Sequence, residues 1–98
     1  MTYIDDAVEA INAELPGLDP ELAAMYALLL LVRGESTTLA DVHDAWAVWR
    51  CATDPGHRSV VPFDRLTPQV QELNRKYAEG IRAAALAVAR RQAARGVC

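Results

Sequence analysis

The sequence predicts an all-α fold, a single-domain bundle of four helices with one extended loop. Eighteen of the 98 residues are alanine and few are β-branched, a composition that favours helix over strand. Apolar residues recur at spacings of three and four along most of the chain, which is the period of an amphipathic helix. With 52% apolar residues, a chain of this length can bury one core, so we expect residues 1–98 to form one domain.

The first helix is predicted over residues 3–15. Its apolar side chains recur at spacings of four, three and four and therefore share one face. They are Ile4, Val8, Ile11 and Leu15. Asp5 and Asp6 complement the positive end of the helix dipole, and the Pro-Gly pair at 16–17 ends the helix.

The second helix is predicted over residues 20–33. Asp19 is a cap residue and Pro20 occupies the first helical position, which together form a strong start signal. Residues 22–32 are apolar nearly all round, so we expect this helix at the centre of the core. Gly34 is the expected stop.

The third helix is predicted over residues 39–52. Thr38 followed three residues later by Asp41 resembles a capping box. Two indoles share one face of this helix with two aliphatic residues, and each aromatic side chain can bury about 150–250 Å². These four residues are Leu39, Val42, Trp46 and Trp49. A Pro-Gly pair then ends the helix, and residues 53–62 are predicted to form an extended loop.

The last helix is predicted over residues 68–94, after a Thr-Pro start signal. Its buried side is marked by Val70, Leu73, Tyr77, Ile81, Ala84 and Val88. At 1.5 Å per residue it would extend roughly 40 Å, so we expect residues 90–98 to protrude as a basic end. Gly80 costs a helix about 1 kcal/mol relative to alanine, and we expect it to mark a close crossing with another helix.

Three segments of the chain resemble a known family. They read VHDAW at 42–46, HRSVVPFDRL at 57–66 and ELNR at 72–75. This order is similar to the repeat module of ryanodine receptors, which also occurs as a stand-alone unit in bacterial and phage proteins. The resemblance covers Leu39 to Ala85, lacks the Gly-Trp-x-Tyr-Gly loop of that module and has Arg58 where the module has proline. It implies a small helical module used for binding, and it transfers no catalytic residue.

The sequence favours a protein without catalytic or metal chemistry. It has no glycine-rich phosphate loop, no paired-carboxylate motif and no nucleophile framework. His43 and His57 lack a third ligand at metal-binding spacing, and neither Cys51 nor Cys98 supplies one. We therefore expect no metal and no cofactor. Instead, we expect His43 to be buried and hydrogen-bonded to the backbone of the loop after the third helix.

The expected location is the cytoplasm. The amino terminus lacks the pattern of a secretory signal, and two cysteines without ligand spacing are consistent with reduced thiols. The longest apolar run, residues 22–32, is shorter than the roughly 20 residues that span a bilayer. For a phage-encoded chain, this would be the host cytoplasm.

The charges of the chain are asymmetric around a net charge of −3. Residues 1–21 contain acidic but no basic residues, whereas residues 75–98 are strongly basic. The two ends can attract each other, although solvated helix faces explain the pattern equally well. The acidic pI of about 5.2 and the absence of a nucleic-acid-reading motif count against nucleic acid as the main partner.

The leading functional hypothesis is a non-enzymatic protein that binds another protein, either a host component or a second copy of itself. The small-residue face of the last helix would carry this contact. The residues are Ile81, Ala84, Ala85, Val88 and Arg91. Abundant alanine, and arginine in nine of ten basic positions, suggest a GC-rich source, so we expect a phage, prophage or actinobacterial accessory factor.

The alternative hypothesis is a small-ligand module for a planar anion of the nucleotide type. Aromatic and cationic residues cluster around the third helix and its loop, where stacking and charge-assisted hydrogen bonds would hold the ligand. The candidate ligand-binding residues are His43, Trp46, Trp49, Arg50, His57 and Arg58. The competing explanation is that both indoles belong to the core and the arginines are solvated.

Overall fold

The computed structural model describes residues 1–95, and within them it is all-helical with no strand. The helices are α1 (Tyr3–Glu14), α2 (Pro20–Val32), α3 (Leu39–Thr53), α4 (Pro68–Glu72) and α5 (Arg75–Arg95). Short 3-10 turns lie at Gly34–Ser36 and Phe63–Arg65. The predicted all-α bundle is confirmed.

The helix starts follow the local signals in the sequence. At α3 the Asp41 amide donates to the Thr38 hydroxyl over 3.0 Å, and the Thr38 amide donates to the Asp41 carboxylate over 2.9 Å. The Asp19 carboxylate accepts from the Glu21 amide at the start of α2 over 2.9 Å. Each bond satisfies an amide that the helix itself leaves without an acceptor.

Helix α5 packs closely against α1. A Cβ atom on Gly80 would lie 2.7 Å from Cγ of the buried Leu15, which is closer than two carbon atoms approach without strain. The predicted close crossing at Gly80 is therefore confirmed. The two helices run antiparallel, because Asp6 near the start of α1 pairs with Arg95 at the end of α5 over 3.3 Å.

This ion pair joins the acidic first helix to the basic last helix, which is one of the two arrangements that the charge asymmetry allowed. The described part of the basic end is tied to α1 through Arg95, although most of its side chains are solvent-exposed. Residues 96–98, and with them Cys98, lie outside the described residues.

Two predictions about apolar faces were wrong in detail. Ile4 is exposed, and the buried side of α1 is formed by Ala7, Ala10, Ile11 and Leu15, because small side chains allow the close approach to α5. Helix α2 is not covered all round. Its Leu28, Leu31 and Val32 are exposed, since α1, α3 and α5 pack on its other sides.

The predicted last helix, residues 68–94, is present over this span but is divided into α4 and α5 by a turn at residues 73–74. The Asn74 side-chain amide donates to the Gln71 carbonyl over 3.1 Å, and the Asn74 backbone amide donates to the same carbonyl over 3.2 Å. Local bonds of this kind compete with the helical pattern. As a result Leu73, predicted to be buried, is 68% exposed.

None of the helices described in residues 1–95 combines the length and the hydropathy that crossing a bilayer would need.

Candidate functional site

His43 lies on α3 and is hydrogen-bonded to the loop that follows this helix. The side chain is only 3% exposed, and its Nε2 donates to the Val61 carbonyl over 2.7 Å. Its ring lies 5.8 Å from the Trp46 ring and 6.1 Å from the Phe63 ring. The predicted buried histidine, bonded to the loop backbone, is confirmed.

His57 makes the second contact between the loop and α3. Its ring meets the Trp46 indole edge-on, at 5.2 Å and 80°. The Ser59 amide donates to Nδ1 of His57 over 3.0 Å, so the proton of the neutral ring sits on Nε2. The loop therefore brings both histidines to the same indole.

A cavity of about 620 Å³ opens beside this indole. This volume lies within the roughly 300–1,000 Å³ typical of small-molecule sites. Five of its lining side chains carry rings, namely Tyr26, His43, Trp46, His57 and Tyr77. The other lining residues are Leu22, Ser59, Val70, Glu72, Leu73, Asn74 and Lys76. The walls thus come from α2, α3, the loop and the α4–α5 junction.

Tyr26 is the buried polar residue of the cavity wall. It is 1% exposed, and its ring lies 5.9 Å from that of Tyr77. Burial raises the pKa of the Tyr26 phenol well above its usual range, and the neighbouring Tyr77 raises it further. The Tyr26 hydroxyl is therefore protonated at physiological pH and available as a hydrogen-bond donor.

Three charged side chains lie at or beside the cavity, namely Glu72, Arg75 and Lys76. Arg75 donates to both carboxylate oxygens of Glu72, over 2.7 Å and 3.0 Å, and this hydrogen bonding lowers the pKa of the Glu72 carboxyl. No carboxylate within residues 1–95 forms an ion pair with Lys76. The Lys76 ammonium lies 5.7 Å from the centre of the Tyr77 ring. Among the charged groups that line the cavity, the Glu72 carboxylate is thus paired and the Lys76 ammonium is not.

The cavity residues all fall inside the segment that a family model matches. A family model with the description "Domain of unknown function (DUF7701)" matches residues 2–86. The chain belongs to this family. Searches of curated proteins and of solved structures found no match.

Three of the six predicted ligand-binding residues line the cavity of this family member, and three do not. His43, Trp46 and His57 are at the cavity. The Arg50 guanidinium lies 4.6 Å from the Trp49 ring and 6.0 Å from the Trp46 ring, but neither Arg50 nor Trp49 lines the cavity. Arg58 is exposed. The predicted cation pair, Arg50 and Arg58, is therefore not at the cavity, and Lys76 is the cationic residue there.

The cavity residues outside α3 and its loop, among them Tyr26 and Lys76, were not predicted from the sequence. They lie on α2, α4 and α5, so no spacing along the chain connects them with the indoles. One signal was present, because Tyr26 is a residue with a polar tip inside an otherwise apolar run. Such a residue usually has a hydrogen-bonding role when it is buried.

The residues of α5 that were predicted to bind a partner lie mostly inside the fold. Ile81, Ala84, Ala85 and Val88 are all buried, since α1 and α2 pack against this side of α5. Arg91 is half-buried. The small side chains thus serve the internal crossing.

Within residues 1–95, no three histidine, cysteine or acidic side chains are grouped so as to hold a metal ion. Cys51 is exposed and does not line the cavity. The chemistry of the site is therefore that of ring stacking, hydrogen bonding and one ammonium group.

Proposed function

We propose that this protein is a non-enzymatic small-ligand module that binds a planar, negatively charged molecule of the nucleotide type. The observation that carries the proposal is the cavity of about 620 Å³ with five ring-bearing side chains in its wall. Aromatic rings prefer offset or edge-on contacts with other rings. A planar ligand would use the open faces of the same rings.

Charge and shape support the same class of ligand. Lys76 is the cation at the cavity that lacks an acidic partner within residues 1–95, whereas Glu72 is already paired with Arg75. The exposed Leu73 side chain lies on the wall, where a bound ring would cover it. An apolar pocket with a few convergent polar groups is the usual form of a ligand site.

The resemblance to the ryanodine-receptor repeat stays a prediction. It agrees with a binding role, because His57 belongs to its most specific segment and lines the cavity.

The proposal is tested with two variants that each keep one indole. Trp49→Phe retains Trp46 at the cavity, and Trp46→Phe retains Trp49 away from it. We expect nucleoside monophosphates to quench the fluorescence of the Trp49→Phe variant and to leave the Trp46→Phe variant unaffected. In a thermal shift assay, a ligand at 100 times its Kd should add about 2.7 kcal/mol of stability.

Both variants should keep the wild-type circular dichroism, which controls for unfolding. Equal quenching of the two indoles would place the ligand elsewhere. An unchanged melting temperature across nucleotides and other aromatic anions would refute the proposal.

A protein partner is the second candidate function, and one observation favours it. Leu28, Leu31 and Val32 are exposed at spacings of three and one along α2, so they form one uncovered apolar stripe. With the α5 face buried, this stripe is the surface that self-association would use. The assignments to a phage or actinobacterial accessory factor and to the cytoplasm stay predictions.

Sedimentation velocity tests the self-association form of this candidate. We expect a dimer at high micromolar concentration that Leu28→Lys converts to monomer, because a charge cannot be buried unpaired in the interface. Val48→Lys is the matched control, since Val48 is 62% exposed on α3 and Leu28 is 52% exposed on α2. A wild-type chain that is monomeric at every concentration would remove this candidate.

A further inference from the structure

The break between α4 and α5 places the start of a 21-residue helix on the cavity wall. Asn74, Lys76 and Tyr77, from the junction and the first turn of α5, all line the cavity. The Ala78 amide donates to the Asn74 carbonyl over 2.9 Å, and the amides of residues 75–77 have no acceptor within α5. A helix start of this kind carries partial positive charge and attracts anions.

An independent observation points to a ligand at the same place. Tyr26 lines the cavity and is 1% exposed, yet its hydroxyl takes part in none of the side-chain hydrogen bonds within residues 1–95. Its raised pKa keeps the proton on the phenol. Tyr26 is therefore an unused donor at the wall of the cavity.

Lys76 adds a charged donor on the same side of the cavity, where the Glu72 carboxylate also lies and is paired with Arg75 by two hydrogen bonds. Its ammonium lies 5.7 Å from the Tyr77 ring, and the Tyr26 ring lies 5.9 Å from the same ring. Lys76 and Tyr26 therefore both lie next to the Tyr77 ring, on the same side of the cavity. Phosphate and carboxylate groups offer only acceptors, and they form their strongest hydrogen bonds with charged donors.

We infer that this side of the cavity binds the acidic group of the ligand, a phosphate or a carboxylate, through the first amides of α5, Lys76 and the Tyr26 hydroxyl. The inference rests on the proposed function and adds the position of the negative charge. Lys76 and Tyr26 thus take the role of anion ligands that the sequence suggested for Arg50 and Arg58. The ring of the ligand then lies toward Trp46 and His57.

Calorimetry and amide chemical shifts measured by NMR test the inference with defined probes. Adenosine monophosphate is compared with adenosine, indole-3-acetate with indole, and inorganic phosphate is titrated alone. We expect each acid to bind about ten-fold or more tightly than its neutral counterpart, as a charge-assisted hydrogen bond requires. Phosphate and the preferred acid should shift the amides of residues 75–77.

Lys76→Met and Tyr26→Phe should each weaken binding of the acid by about ten-fold and change that of the neutral counterpart by less than about two-fold. Tyr26→Phe should leave the melting temperature of the free protein unchanged, because the hydroxyl is unused there. A structural role would lower it. Arg90→Met is the control, since it removes one positive charge from an exposed position of α5.

The outcomes separate the inference from the proposed function. If the neutral compounds bind as tightly as the acids and the amides of residues 75–77 do not respond, the inference is overturned and the proposed function stands. If none of these compounds binds, both are overturned. Preference for adenosine monophosphate or for indole-3-acetate identifies the acidic group as phosphate or carboxylate.

Discussion

Replacing His43 with alanine is expected to lower the free energy of unfolding by about 3 kcal/mol. The change leaves the Val61 carbonyl, on a half-buried residue, without the donor that now lies at 2.7 Å, and an acceptor left unsatisfied costs up to about 1–3 kcal/mol. It also removes the ring that packs against Trp46 and Phe63. Urea denaturation followed by circular dichroism measures the loss.

Two further variants show whether the hydrogen bond to the loop is responsible. His43→Gln keeps a donor amide and should recover part of the lost stability. His57→Ala removes an imidazole that is half-buried and accepts only a local bond from Ser59, so we expect a loss of about 1 kcal/mol or less. If His43→Ala were no more destabilising than His57→Ala, the anchoring role of His43 would be wrong.

Replacing Gly80 with leucine is expected to lower the free energy of unfolding by about 2–3 kcal/mol, although leucine is the better helix former. A Cβ atom at this position would lie 2.7 Å from Cγ and Cδ2 of Leu15, and the buried Leu15 has little room to move. Overpacking of this kind costs about 1–3 kcal/mol for small insertions and more for large ones. Thermal and urea unfolding measure the effect.

Ala83→Leu is the matched control for this prediction. Ala83 lies three residues further along α5 and is exposed, so the same side chain should change stability by less than about 0.5 kcal/mol. The double variant Gly80→Leu with Leu15→Ala adds a side chain at position 80 and removes the one that it would meet at position 15. The double variant should be more stable than the sum of the single losses by about 1 kcal/mol or more, and strict additivity would contradict a direct clash.

The functional site was only partly predictable from the sequence. The indole of Trp46 and the two histidines were found because they lie within fifteen positions of one another, on α3 and the loop that follows it. Lys76 and Tyr26 were missed because they are distant in sequence and become neighbours of this cluster only through packing. For the same reason the sequence suggested Arg50 and Arg58 as the cations of the site, whereas Lys76 is the cationic residue that lines the cavity.

The amino-acid sequence by itself determined the helical class, the starts of α1, α2 and α3, and the need for a small residue at position 80. These features depend on caps, prolines and periodicity, which act within a few residues. Tertiary structure decided which apolar residues are covered and where the last helix breaks. The sequence of an apolar helix face is the same whether or not another helix covers it. For this reason the exposed Leu28 and Leu31 could not be distinguished from the buried alanines of α5. The cavity arises in the same way, because its walls meet only when α2, α3 and the α4–α5 junction pack together.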